Sequence, residues 1–286
     1  MNWDVIIFDE AGQLSIPLAF VAMVKGEKYI FIGDHKQLPP IISEKIDNPT
    51  FTKSVFEHLF QYYYGIMLEV TYRMNGEINK FPSSQFYEGK LIPHDTNING
   101  KLDIYNTFKS YADVLDKNKP DILYCHFHNS DNTRSEFEAQ LVFEFVSEYL
   151  KQGISPSDIA IITPFRAQVR ELNKALSQLE YYEDIKNDLF VDTIERIQGQ
   201  ERDIVIFSLV TSDPKKAMQR AEFFFNPNRL NVALTRAKKK RIVIGNKALF
   251  EIEATDVNLD KLIKNFRDFY NSTTIILEKS DTDNLF

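Results

Sequence analysis

Short runs of consecutive apolar, often β-branched residues recur along the chain with amphipathic stretches between them, and this alternation restricts the fold more than any other feature. A strand that is apolar at every residue has no solvent face, so it belongs inside a parallel sheet covered on both sides. The pattern predicts strands at Val5–Phe8, Tyr29–Ile32, Ile66–Val70, Ile122–His126, Ile159–Thr163, Leu189–Asp192, Ile204–Leu209 and Arg241–Ile244. It predicts helices over Ser135–Leu150, Ala167–Leu179 and Leu259–Tyr270, where apolar residues fall on one face. The expected class is therefore α/β. The strand signal fades between Tyr72 and Asp121, where Pro82, Pro93 and Gly100 mark connections and short helices. Two α/β units are expected, the first short and the second full-sized. The polar end, Lys279–Phe286, is expected to fray.

Composition excludes several classes. One cysteine cannot build an internal disulfide framework or a multi-cysteine zinc site. No stretch approaches the ~18 consecutive apolar residues of a membrane span. Asp4, Asp9 and Glu10 interrupt the segment where a secretory signal would be basic and then apolar. The expectation is an intracellular protein, cytoplasmic or nuclear, with no membrane partner. The net charge of −7 argues against a wholly basic nucleic-acid binder. It leaves room for a local basic track, because only charge near the bound phosphates matters.

Several loops carry chemistry. DEAGQ (residues 9–13) ends an apolar strand in two adjacent carboxylates. In open parallel sheets ligands bind beyond the carboxyl ends of strands. One carboxylate of the pair can hold Mg²⁺ while its neighbour polarises a water for phosphoryl transfer, or the pair is an acidic turn. GDHKQLPP (residues 33–40) follows a second strand. Gly33 permits a sharp turn and Gln37 can sense a phosphate, and a plain turn is the alternative. Arg73, in TYRM, lies past a third strand and can stabilise charge on a transferring phosphoryl group or form a surface salt bridge. NRLNVALTRA (residues 228–237) reads as a helix with Arg229 and Arg236 on one face, two turns apart. The run Lys238–Arg241 reads as a solvated basic turn. Cys125, His126 and His128 lie close together without a second ligand pair. His35 reads as a loop residue.

The set is more specific than its members. DEAGQ, GDHKQLPP, TYRM, TPF (163–165), IQGQE (197–201) and NRLNVALTRA stand in order, and they resemble motifs II, III, IV, IVa, V and VI of superfamily 1 helicases. The resemblance is to the group containing the regulator-of-nonsense-transcripts helicase, senataxin and the replication helicase–nuclease, and covers roughly Val5 to Gly245. It implies a RecA-like P-loop NTPase fold with ATP in the cleft between two domains. On that basis residues 1–72 are the end of the first RecA-like domain, 73–272 the second, and 273–286 a tail. The resemblance makes Asp9 the Mg²⁺ ligand, Glu10 the base, Gln37 the γ-phosphate sensor, and Arg73 and Arg236 arginine fingers. It puts Gly33, Asp34, Gln198, Gly199 and Glu201 at the nucleotide, with Glu201 near the ribose or the metal. Thr163 and Thr193 become backbone contacts to single-stranded DNA or RNA, and Arg229 serves the cleft or pairs with an acid. Ile197 and Glu195 depart conservatively from the usual Phe and Asp.

One part of the family pattern is missing from these residues. The loop Gly-x-x-x-x-Gly-Lys-Ser/Thr, whose amides and lysine hold the phosphates, does not occur. Gly89-Lys90 and Gly100-Lys101 lack its other elements and follow the acidic motif. The expectation is the carboxyl-terminal part of a motor, weakly active or inactive in ATP hydrolysis alone. A non-hydrolysing module that binds nucleic acid or a protein, and one half of a split helicase, remain alternatives. Partners would then include the amino-terminal helicase half or a second copy, since an incomplete sheet exposes edges and apolar faces near Val5–Phe8 and Tyr29–Ile32.

Overall fold

The computed structural model describes residues 2–41 and 53–278. Lys279–Phe286, expected to fray, lies outside them. The chain divides into two compact units, Met1–Leu68 and Glu69–Phe286.

In the first unit, β1 (Trp3–Phe8) and β2 (Gly26–Phe31) pair in parallel, with Ile7 opposite Ile30 and Phe8 opposite Phe31. The β-branched run Val5–Ile7 favours the extended backbone. Helix Ile16–Met23 connects the strands, and Pro17 in its first turn supplies a φ already set for a helix. One face of the sheet is covered: Phe8, Ala11, Ile16, Ala19 and Val55 form a core, and the Phe8 and Phe31 rings stack at 4.7 Å. Alternation along β1 sends Trp3, Val5 and Ile7 to the other face, where all three are exposed with Ile30.

In the second unit, Val70–Thr71 (β3) pairs with Ile92–Pro93 (β4). The remaining strands are β5 (Asp121–His126), β6 (Ile159–Thr163), β7 (Phe190–Thr193), β8 (Arg202–Ser208), β9 (Ala237–Asn246) and β10 (Thr274–Leu277). They form one six-stranded parallel sheet in the order β10-β5-β9-β8-β6-β7. Ile122, Ile161, Ile206 and Ile244 face helices Glu136–Lys151 and Arg166–Leu176 in one large core. Leu123, Ile162, Phe207 and Val243 point the other way and are also buried. This doubly covered parallel sheet is the α/β architecture expected from the runs of apolar residues, and it is consistent with the RecA-like fold that the resemblance implies.

Four local expectations are corrected. Ile66–Val70 is not a strand: pairing begins only at Val70, and Ile66 and Leu68 are 96% and 82% exposed. Helix Pro227–Leu234 stops before Arg236, so Arg229 and Arg236 do not share a helical face. Lys238–Arg241 is not a solvated turn but the start of β9, with Lys240 and Arg241 fully buried. The Arg241 guanidinium forks onto both carboxylate oxygens of Asp121, with 2.7 Å from Nε, and also donates to Leu234 O at 2.6 Å. Lys240 Nζ donates to the carbonyls of Asp116 and Lys119. At the carboxyl end, where a tail was expected from residue 273, Thr274–Leu277 adds the edge strand beside β5.

Candidate functional site

In the first unit the acidic loop and the glycine loop leave neighbouring strands at the same end. Ile32 N–H donates to Phe8 O, and Ala11 N–H to Ile32 O, each at 2.8 Å. The loops then run so close that a Cβ on Gly33 would lie 2.6 Å from Gly12 N, and one on Gly12 would lie 2.6 Å from Asp34 O. Only glycine fits at either position. Glu10 sits in the left-handed region at φ 49°, rare for a side chain of its kind. Asp9 and Glu10 are both exposed. Asp9 Oδ1 accepts from Glu10 N–H, and Glu10 Oε2 accepts from Gln13 Nε2, each at 2.9 Å. Asp34 organises its own loop, accepting from Lys36 N–H at 2.8 Å and from the Gln37 side-chain amide at 3.0 Å. His35 packs on the Phe60 ring at 4.7 Å, and burial lowers its pKa first, with Lys36 adding to the shift.

In the second unit, residues far apart in sequence meet around Thr235. Arg73 Nε donates to Glu201 Oε2 at 2.6 Å and Nη1 to Thr235 O at 3.2 Å. Arg236, 2% exposed, donates from Nη2 to Thr235 Oγ1 at 3.0 Å and from Nε to Val232 O at 3.1 Å. Lys238 Nζ lies 3.1 Å from Glu201 Oε1. Burial pushes the Glu201 carboxyl up, but hydrogen bonds from Arg73 and Lys238 outweigh it and hold it below the usual range. Gly199 turns the preceding loop at φ 78°.

Thr163 and Thr193 end β6 and β7 as direct register partners. Both are buried, and among the described residues neither Thr163 Oγ1 nor the buried Nε2 of Gln198 has a hydrogen-bond partner. Unpaired buried polar atoms are uncommon and call for an explanation, a bound group among them. Arg229 pairs through Nη1 with Glu195 and lies over the Phe223 ring, 4.0 Å from its centre.

Other structure-bearing groups were not anticipated from sequence. Glu138 is fully buried and accepts from His126 Nε2 at 3.1 Å, Ser208 Oγ at 2.5 Å and Val210 N–H at 3.0 Å. His128 N–H donates to Nδ1 of His126, which leaves the ring proton on Nε2, facing Glu138. The neighbouring Val210 is held at φ 71°, an uncommon conformation for a β-branched residue. The available signal was a charge on an apolar face: Glu138 lies one turn before Leu141 and Val142. The demand for glycine at position 12 comes from the Asp34 backbone of the neighbouring loop and has no signal in the sequence. Among the described residues no group of three or more His, Cys, Asp or Glu side chains is placed to hold a metal. No described helix is long and apolar enough to cross a membrane.

Residues 51–248 match the model of an AAA domain, and residues 1–45 match that of a second AAA domain. The chain belongs to this AAA-domain family, in the superfamily 1 helicase group. It is 33% identical over 263 residues to an uncharacterized ATP-dependent helicase of Methanocaldococcus jannaschii, covering 87% of this chain and 37% of that one. It is 30% identical to the DNA polymerase alpha-associated DNA helicase A of Schizosaccharomyces pombe (86% of this chain, 37% of that one). It is also 30% identical to the DNA replication ATP-dependent helicase/nuclease DNA2 of Xenopus laevis (85% and 25%). The chain thus spans between a quarter and two fifths of the length of these relatives.

Proposed function

We propose that this chain is the carboxyl-terminal part of the motor of an ATP-dependent helicase, working on single-stranded DNA or RNA inside the cell. The observation that carries the reading is the acidic loop: a strained, non-glycine Glu10 beside Asp9 at the carboxyl end of β1, both exposed. Backbone strain of this kind clusters at catalytic sites. Neither carboxylate has an ion-pair partner among the described residues. Two such carboxylates fit a Mg²⁺ ion, which commonly takes one or two protein carboxylates plus substrate phosphates. When bound, the ion neutralises phosphate charge. Asp9 is its ligand, and Glu10 accepts the proton of the attacking water. Gln37, held by Asp34, faces the terminal phosphate, with Gly33 permitting the close approach. Arg73 and Arg236 stabilise charge on the transferring group. Gln198, Gly199 and Glu201 border the nucleotide, and Thr163 and Thr193 contact the backbone of the strand. In domain terms, residues 1–72 belong to the first motor domain and 73–272 to the second.

The test is phosphate release from MgATP, measured together with binding of a single-stranded oligonucleotide. The 286 residues alone, which contain no Gly-x-x-x-x-Gly-Lys-Ser/Thr loop, are expected to bind the strand and to release phosphate near background. Strong release that disappears in Glu10→Gln keeps Glu10 as the base and overturns the expectation of weak turnover. Strong release that survives the substitution removes Glu10 from the mechanism. No strand binding overturns the nucleic-acid part.

A further inference from the structure

A closed ring of buried polar groups ties together the segments that lie beyond the strand ends. Glu138, in helix Glu136–Lys151, accepts from Ser208 Oγ at 2.5 Å. Ser208 Oγ accepts in turn from Gln168 Nε2 at 3.2 Å. Gln168 holds both backbone groups of Ser135, accepting from its N–H at 2.7 Å and donating to its carbonyl at 3.1 Å. Ser135 Oγ accepts from Glu138 N–H at 3.1 Å, which closes the ring. Glu138, Gln168 and Ser208 are fully buried, and Ser135 nearly so.

The ring borders the strand ends that carry the two threonines. Ser208 ends β8 beside the end of β6, because Phe207 lies opposite Ile162 and Thr163 is next along. Gln168 stands in helix Arg166–Leu176, which follows Thr163. Val210, just beyond Ser208, donates its N–H to both Glu138 oxygens, at 3.0 and 3.1 Å, and is held there at φ 71°. That turn aligns the next loop: Val210 O accepts from Ser130 Oγ at 2.6 Å, and Ser212 Oγ from Ser130 N–H at 2.8 Å.

The donors that meet at Glu138 account for the acid. His126 Nε2–H, the Ser208 hydroxyl and Val210 N–H all need an acceptor, and an ionised carboxylate offers only acceptors. A glutamine of the same shape would turn its amide donor against one of them. A buried carboxylate is destabilising unless hydrogen-bonded, and a β-branched residue at positive φ adds strain. A sheet end built of apolar residues would avoid both. Such strain persists only where the surroundings enforce it, and it clusters at functional sites. Next to the ring, Thr163 Oγ1 has no hydrogen-bond partner among the described residues.

We propose that Glu138 is a positioning residue for the single-strand site: by holding Val210 in the left-handed conformation and Ser208 against Gln168, it fixes the loops that flank Thr163. This rests on the single-strand reading above and adds what keeps that site in shape before a strand arrives. Glu138, fully buried, touches no nucleotide.

The test is fluorescence anisotropy of the full chain with labelled oligo(dT) and oligo(U), alongside urea unfolding of each variant. Glu138→Gln should weaken strand binding about tenfold, the scale of one lost hydrogen bond to a charged group. Glycine adopts positive φ without help. Glu138→Gln combined with Val210→Gly should therefore bind like wild type, while its unfolding midpoint falls further because a buried side chain is lost. Binding and stability then move in opposite directions, which a merely structural role does not produce. Glu138→Asp keeps the charge, shortens its reach and should be rescued in the same way. A folded Glu138→Gln that binds like wild type overturns the positioning role and leaves the single-strand reading intact. So does a loss of binding that Val210→Gly does not restore. Failure of both Glu138 variants to fold makes the carboxylate a stability element alone and also overturns the role. A wild type that binds neither strand overturns both the role and the single-strand reading.

Discussion

Lys240 shows how far a residue can depart from its sequence appearance. It sits in a run of four basic residues that reads as a solvated turn, yet it is fully buried in β9. Burial lowers its amine to about 7, against the opposite pull of Asp116 and Asp121. An unfolded lysine keeps its proton to about 10.4. Above about pH 7 the unfolded chain therefore binds a proton that the folded chain does not, and stability rises with pH by at most about 1.4 kcal/mol per unit. Cys125, pushed up to about 12 by burial, works in the opposite direction once unfolded thiols ionise near 8.5. The window is thus about pH 7 to 8.5. Urea unfolding across it should show this slope in wild type and not in Lys240→Met, and an equal slope in both would refute the assignment. The acidic loop and the loop bearing Gln37 stand out in the sequence because each follows a run whose strand type is plain, whereas Arg73 follows Ile66–Val70, which is not a strand. Lys240 does not stand out, because its partners are carbonyls of Asp116 and Lys119, over a hundred residues earlier.

At the level of elements, periodicity placed the central strands and the long helices within a few residues and failed where tertiary contacts set the boundary. Ile66–Val70 is apolar enough for a strand, but its only ladder partner is the two-residue β4. Helix Pro227–Leu234 ends where Arg241 takes the Leu234 carbonyl, a termination that the helix-friendly sequence NVALTRA does not announce. The Asp121–Arg241 pair joins β5 to β9 and also reaches Ile78 O in helix Gly76–Phe86. Removing one partner strands a charge in the core. Asp121→Asn should cost about 3–5 kcal/mol in denaturant unfolding, and replacing both partners by apolar residues should cost less. If the double substitution is as damaging as the single one, the pair contributes more than charge compensation.

At the scale of the whole chain, Trp3, Val5, Ile7 and Ile30 lie exposed on one sheet face of the first unit among the described residues. Such faces associate in water. The isolated chain should form dimers or larger species on light scattering, and Val5→Thr with Ile7→Thr should shift it towards monomer. A wild type that is monomeric at high concentration would contradict this. The contact between Gly12 and Gly33 reaches further than local packing. The backbone of the opposite loop fills the space that a Cβ at either glycine would need, Asp34 opposite Gly12 and Gly12 with Ala11 opposite Gly33. The acidic and glutamine-bearing motifs are thereby tied at these two positions: a side chain at Gly12 or Gly33 is tolerated only where the opposite loop's backbone moves aside.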